Sequence, residues 1–426
     1  MAARIATVVI LMSAVAALAG AQPAPPDRAP TSGDRAQAAA VAEQQPPAVD
    51  VFDLLRKLRH KDQPDDQAAF DFTKKMTAVA PIIGYKPTSG LVVGAGGNVA
   101  FFRGDPKTTR ISSAVFSLTV STKKQTALTA RYTTFSKGDR WRFEGDNRGQ
   151  WTSQDAYGLG TSSLPADKIN AKYNFFRLYE TAYYALKPNL FGGLGIHYNA
   201  HTDIRPGTGT SDDTWLQSPY MQYTVSHGFP TDAQTSAGTS VNLLFDSRDN
   251  AINADRGWYL NTSYRTFFAD FAGGDSTWQE LYLDARKYRQ LTHDGRKKLA
   301  FWLFGDFVTG GTAPYLDLPA TGMDTYGRTG RGYGEGRFRG ERMLYGEVEY
   351  RALLMRNGLL GMVVFLNLTT ITNLETGERL FHSAAPGAGA GLRLSINKRS
   401  KTNLCFDVGF GKDGSRGFYF ALQEAF

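Results

Sequence analysis

A single cysteine, Cys405, leaves the 426-residue chain without an internal disulfide or a multi-cysteine metal site. Long apolar runs are equally scarce. Beyond the N-terminal segment the longest, Gly358 to Leu366, spans about nine residues, well short of the ~20 a membrane helix needs. Runs of basic residues are missing too. The formal charge is +8, but Lys and Arg are scattered among Asp and Glu. That excludes nucleic acid as the expected partner and leaves an anion-favouring pore lining or lipopolysaccharide phosphates. No phosphate loop or nucleotide fingerprint occurs, so no cofactor is expected. Gly274-Asp275-Ser276 echoes the start of a lipase but has no partnered His and Asp, so no catalytic residue is assigned. His197 and His201 lie four apart on one strand face with no third ligand, and they read as ordinary polar strand residues rather than a metal site.

The N-terminus points to export. Arg4 precedes an apolar run from Ile5 to Ala19, which ends in small-x-small patterns, so residues 1–21 are expected to be a cleaved signal peptide. Residues 22–76 read as a disordered periplasmic tether, because their Pro, Ala and Gln cannot bury a core. Within it, 51–62 has helical apolar spacing at Phe52, Leu55 and Arg59, with Leu54 and Leu58 alongside. Two readings stay open: a transient helix in the tether, or a helix docked at or plugging a barrel mouth.

From residue 77 to 426 the texture is that of strands: period-2 alternation broken by Gly, Asp, Asn and Pro turns. Tyr259, Asn261, Ser263 and Arg265 oppose Trp258, Leu260, Thr262 and Tyr264. Met343, Tyr345, Glu347, Glu349 and Arg351 oppose Leu344, Val348, Tyr350 and Ala352. Asn403, Cys405 and Asp407 oppose Leu404, Phe406 and Val408. A soluble sheet would alternate likewise. The segments are longer than ordinary globular strands, and one face carries large apolar side chains throughout. The fold class expected is therefore all-β: a transmembrane antiparallel β-barrel of about 16 strands in a Gram-negative outer membrane. The first strand, 79–86, looks short and is weakened by Pro81 and Gly84. With both chain ends in the periplasm, the long connections at 153–171, 204–233, 310–340 and 370–386 are expected on the outer rim, and the short turns at 121–123, 136–138 and 187–189 on the periplasmic one. Residues 215–228 read as an extra strand or hairpin within an external loop. The chain closes on 416–426, where Phe418, Phe420 and Phe426 are placed on one face as an assembly signal for the cell's barrel-assembly machinery.

Two segments carry a family likeness: 245-FDSRDNAINADRGWYL-260 and 331-RGYGEGRFRGERMLYGEVEYR-351. With the aromatic terminal strand, they resemble the BamA/TamA family, also called the bacterial surface antigen family, whose members insert or translocate proteins at the outer membrane. The resemblance covers about residues 77–426. It implies that Arg331, Gly332 and Tyr333 sit at the tip of a loop folded into the lumen, with the arginine paired to inner-wall acids. Glu349 matches the family's wall glutamate, and Glu347 shares its face. A confined guanidinium needs such a bidentate, charged partner. Where the family places a second Asp on the next strand, this chain has Asn367, which carries no charge. The lock is expected to be weaker unless Asp407 compensates. Asp246, Arg248, Asp249 and Gly257 are expected to scaffold a periplasmic turn, with Asp and Asn side chains holding local amides. The family's periplasmic POTRA domains find no room in 22–76. The resemblance implies assistance to protein or lipid insertion or passage. The alternatives are a passive anion-favouring porin and a structural surface-antigen barrel.

Overall fold

The computed structural model describes residues 47–58, 74–86 and 89–426. The expected signal peptide and most of the tether lie outside the described residues. Sixteen antiparallel strands follow one another in chain order around one sheet. They are β1 (Met76–Lys86), β2 (Gly90–Phe101), β3 (Ser112–Ser121), β4 (Thr126–Phe135), β5 (Trp141–Ala156), β6 (Ile169–Lys187), β7 (Leu190–Pro206) and β8 (Ala233–Asp246). The second half comprises β9 (Gly257–Phe267), β10 (Trp278–Gln290), β11 (Lys297–Gly311), β12 (Arg342–Leu353), β13 (Leu360–Ile371), β14 (Ala385–Asn397), β15 (Thr402–Gly411) and β16 (Arg416–Leu422). One helix precedes them, α1 (Val51–Leu58), and two lie between β7 and β8, α2 (Asp212–Leu216) and α3 (Pro219–Ser226).

Hydrocarbon offers no partner for backbone N–H and C=O groups, so a sheet in lipid must satisfy them between strands and curl on itself. Alternation then sorts the side chains. Phe116, Leu128, Leu194, Phe301, Leu366 and Phe406 are exposed on the outer face. Asp146, Asn199, Asp284, Glu349 and Asp407 are buried on the inner one. An aromatic girdle marks the periplasmic border, where Trp141 meets Tyr184 at 5.0 Å and Lys287 Nζ sits 4.2 Å from the Trp258 ring.

Four details differ from the sequence-based expectation. Strand β1 starts at Met76 and pairs with β2 along its whole length, Pro81 and Gly84 included. Among the described residues no ladder joins the free edge of β1 to β16; Gln423, just past β16, instead reaches beyond β1 and β2, its Nε2 donating to Ser113 Oγ of β3 at 3.0 Å. Residues 215–228 are helical rather than extended. Ser211 and Ser218 cap α2 and α3, and Pro219 opens α3, a start signal that outweighed the local alternation. The 121–123 turn joins β3 to β4 and so belongs to the outer rim. Finally, Phe426 does not share a face with Phe418. β16 stops at Leu422, and Phe426 turns into the lumen, 5.1 Å from Trp302, while Phe418 stays outside. Interior aromatics gave the terminal ring a better seat than the barrel wall did.

If the outer face lies in lipid, Leu366→Arg at mid-strand should cost about 2–4 kcal/mol. Denaturant titration of the refolded barrel in liposomes measures this, and an unchanged midpoint would place that face in water.

Candidate functional site

The loop between β11 and β12 enters the barrel. Asp324 shapes its turn by accepting from the amides of Tyr326 (3.0 Å), Arg328 (2.8 Å) and Thr329 (2.7 Å). Arg339 ties its root together, Nη1 donating to the carbonyls of Tyr315 and Leu316 at 2.9 Å. The tip then delivers Arg331, which is fully buried.

Arg331 meets three carboxylates. Glu347 and Glu349 of β12 both accept from it, and Asp407 Oδ2 accepts from Nη1 at 2.9 Å. Its guanidinium carbon lies 3.7 Å from the centre of the Phe365 ring. Strand register builds this wall. Glu349 stands opposite Phe365, Glu347 opposite Asn367, and Asp407 opposite Tyr419. Between β13 and β15 the inner face of β14 carries Gly387, Gly389 and Gly391. A Cβ at Gly387 would lie 2.6 Å from the Arg331 carbonyl oxygen, and one at Gly391 would lie 1.9 Å from Asp407 Oδ1. The loop tip reaches Asp407 because that row has no side chains.

Asn367 takes a role different from the one expected. Its Nδ2 donates to the Arg331 carbonyl at 2.9 Å, so it holds the backbone, and Asp407 supplies the missing charge. Gly332, at φ 110°, leaves no room for a side chain against the Phe410 carbonyl. Its N–H donates to Tyr419 Oη at 2.9 Å. Tyr333 donates to the Pro386 carbonyl and accepts from the Lys412 amide at 2.9 Å.

From this clamp two chains of charge run toward the periplasm. Glu349 Oε2 accepts from Arg351 at 2.5 Å, and Arg351 Nη2 donates to the Phe426 carbonyl at 3.0 Å. Asp407 accepts from Arg393 at 2.5 Å, and Arg393 Nε donates to Glu424 at 2.6 Å. Arg351 follows from its inward parity. Arg393, Glu424 and Tyr419 escaped the sequence reading, although parity along their strands would have marked the first and last as inward.

The periplasmic segment 247–256 does more than turn. Asp246 anchors it by accepting from Arg142 Nη1 at 2.7 Å and from Arg248 Nε at 2.9 Å. Asp249 Oδ1 accepts from the Asp255 amide at 2.9 Å, and Asn250 Oδ1 from the Ile252 amide at 2.8 Å. Gly257 opens β9. The tip then crosses the barrel mouth. Ile252 packs with Ala100 and Ile111, near the β2–β3 connection, while Asp255 meets Lys298 at 2.9 Å and Lys401 at 2.6 Å. The outer mouth is covered as well, by Trp215, Tyr220 and Tyr223 of the α2–α3 segment packed with Tyr315, Leu316 and Leu318. Between the two covers, a polar cavity bordered by Arg131, Glu144, Tyr259, Arg265 and Tyr326 measures about 90 Å³, room for a handful of waters.

This barrel architecture has counterparts of known structure. BamA from Haemophilus ducreyi lacking POTRA domains 1–3 superposes with a TM-score of 0.51 at 15% identity, over 82% of this chain and 69% of that one. The chain has a BamA-like outer-membrane barrel fold. CdiB from Acinetobacter baumannii gives a TM-score of 0.51 at 10% identity, over 82% of this chain and 59% of CdiB. No family model matches the chain, and no curated protein matches it.

Other residues singled out in the sequence sit apart from the Arg331 clamp. His197 Nε2 is 2.8 Å from Ser240 Oγ, and His201 stacks on Phe175 at 4.6 Å. Ser276 Oγ donates to the Thr312 carbonyl at 2.8 Å. Cys405 is buried, its sulfur 3.1 Å from the Gln423 carbonyl.

Two predictions follow from the loop contacts. Arg331→Met leaves Glu347, Glu349 and Asp407 without their shared cation and should cost about 3–5 kcal/mol. Arg331→Lys should recover only part of it, since one ammonium cannot form the forked contact; denaturant midpoints compare the two. The second concerns Asp317, at the loop root, which accepts from Asn199 at 2.9 Å and Ser236 at 2.6 Å. Burial pushes its carboxyl up to about 6, against the opposing pull of those hydrogen bonds and of Arg177. A carboxyl holding its proton more tightly when folded adds stability at low pH and loses it as pH rises through about 6. Amide protection factors across 312–341, corrected for the intrinsic pH dependence of exchange, should therefore be higher at pH 5 than at pH 7.5, and Asp317→Asn should flatten the difference.

Proposed function

We propose that this chain is a gated outer-membrane barrel that assists insertion or passage of a protein or lipid, resting closed with its loop locked in the lumen. The observation that carries the reading is the seating of Arg331 on Glu347, Glu349 and Asp407. A buried guanidinium shared by three carboxylates is a costly arrangement for a passive wall. It suits an element that must hold one position and be released as a unit. The open seam between β1 and β16 supports the same reading, since the least-bonded edge of a barrel is where a client strand or lipid meets the least resistance. The covered mouths speak against a standing aqueous pore. Lipid and lipopolysaccharide are the expected surroundings, with the barrel-assembly machinery as partner during biogenesis. In this reading Phe418 and Phe420 remain on the lipid side as the part of the assembly signal still accessible to it.

Single-channel recording in planar bilayers tests the lock. Wild type should be closed or nearly so, and Arg331→Ala should open in brief, noisy steps. A large, steady conductance in both would make the chain a passive porin. Acceleration of barrel-protein insertion into liposomes, lost when a disulfide is engineered across the seam and regained on reduction, would support the insertion role against a purely structural barrel.

A further inference from the structure

Helix α1 carries apolar residues at i, i+3, i+4 and i+7: Val51, Leu54, Leu55 and Leu58. A short helix on a water-soluble surface turns such a stripe toward the protein. Here the acidic side faces the barrel. Asp50 and Asp53 are buried and cap the helix reciprocally, the Asp50 amide donating to Asp53 at 3.0 Å and the Asp53 amide to Asp50 at 2.9 Å. Lys398, on the β14–β15 turn, donates its amide to Asp50 at 3.0 Å, and its ammonium lies 3.1 Å from Asp53. The Val49 amide donates to the Asn357 carbonyl on the β12–β13 turn at 2.9 Å. The docked side is thus polar and the apolar stripe looks away, with Leu54 39%, Leu55 42% and Leu58 76% exposed.

What covers the stripe is set by where it hangs. The end of β12 and the turn that holds the helix carry exposed Leu353, Leu354 and Met355, and Leu354 continues the outward row of β12. The barrel's lipid-facing belt therefore runs down to the site where α1 is tied. A stripe of three exposed leucines on an eight-residue helix falls far short of the roughly 800 Å² per partner of a stable protein interface. It is sufficient for a helix lying at a membrane border, where Lys57 would meet lipid phosphates.

We propose that α1 is an interfacial anchor lying in the periplasmic leaflet, with Leu54, Leu55 and Leu58 among the acyl chains of phospholipid. The anchor clasps the turns of β12–β13 and β14–β15 at leaflet depth, beneath the strands that carry Glu347, Glu349 and Asp407. It is independent of what the lumen transports.

The test places one fluorophore on the stripe of the full-length protein. Cys405→Ala removes the native thiol, and Leu55→Cys is labelled with an environment-sensitive dye and reconstituted in phosphatidylethanolamine–phosphatidylglycerol vesicles. Lys107→Cys, on the exposed β2–β3 connection, is the water-facing control, and heat-modifiable electrophoretic mobility verifies folding. Nitroxide-bearing lipid should quench the Leu55 label several-fold more than the control, with iodide doing the reverse. Equal iodide quenching at both positions overturns the proposal. So does protection from iodide without nitroxide quenching, which would mean that protein covers the stripe. Leu58→Cys repeats the measurement one turn along, in case the label at position 55 distorts the helix.

Discussion

Arg331 lies out of water in the middle of a membrane protein, and a guanidinium there must find its counter-charge within the chain. The wall opposite the loop is organised around that demand. Two glutamates two residues apart on β12 point inward because strand period is two. The third carboxylate, Asp407, lies three strands along and comes within reach because the inner face of β14 between them is glycine. The same arginine's carbonyl is held by Asn367 and the following amide by Tyr419, so backbone and side chain are fixed together. Glu349 and Asp407 each pass charge on to a second arginine, and those arginines seat the chain's last residues. The loop that enters from outside and the tail that enters from the periplasm are thereby parts of one ionic network.

The two covers over the lumen are built on different physics. The outer one is aromatic, with Trp215, Tyr220 and Tyr223 stacked on Tyr315 and its neighbours, and apolar burial resists salt. The periplasmic one rests on Asp255 between two lysines and on Ile252 in a small apolar niche. Partly exposed ion pairs of that kind are weak and screened by salt. The two covers therefore differ in kind, aromatic packing on the outer side and screened ion pairs on the periplasmic side.

The seam follows from chain length at its two edges. β1 has eleven residues and β16 seven, because the chain leaves the wall after Leu422 to place Glu424 and Phe426 in the lumen. What would have been the end of the closing ladder is spent on the interior network. No strand ladder among the described residues closes the wall there, and the tail reaches past β1 and β2 to Ser113 of β3.

Much of this was readable before any coordinates. Sixteen strands, their inward and outward faces, and the inward acids Glu347, Glu349 and Asp407 follow from alternation, because a one-residue period error would bury charge in lipid. The likeness of 331–351 to the BamA/TamA family brought Arg331 to the same wall. Alternation is a local rule and says nothing about which inward residues meet across a lumen. The span of 247–256 over the mouth, the reach of Arg142 to Asp246 and the turn of Phe426 away from Phe418 depend on the barrel's curvature and on side chains far apart in the chain. The helices at 212–226 were missed because a short capped turn competes with strand pattern on nearly equal terms. Residue order alone specifies a polar-lined, lipid-faced barrel with a charged loop tip. How that charge is satisfied is settled by the folded barrel, since a buried ion's partners are chosen by distance across the fold and not along the chain.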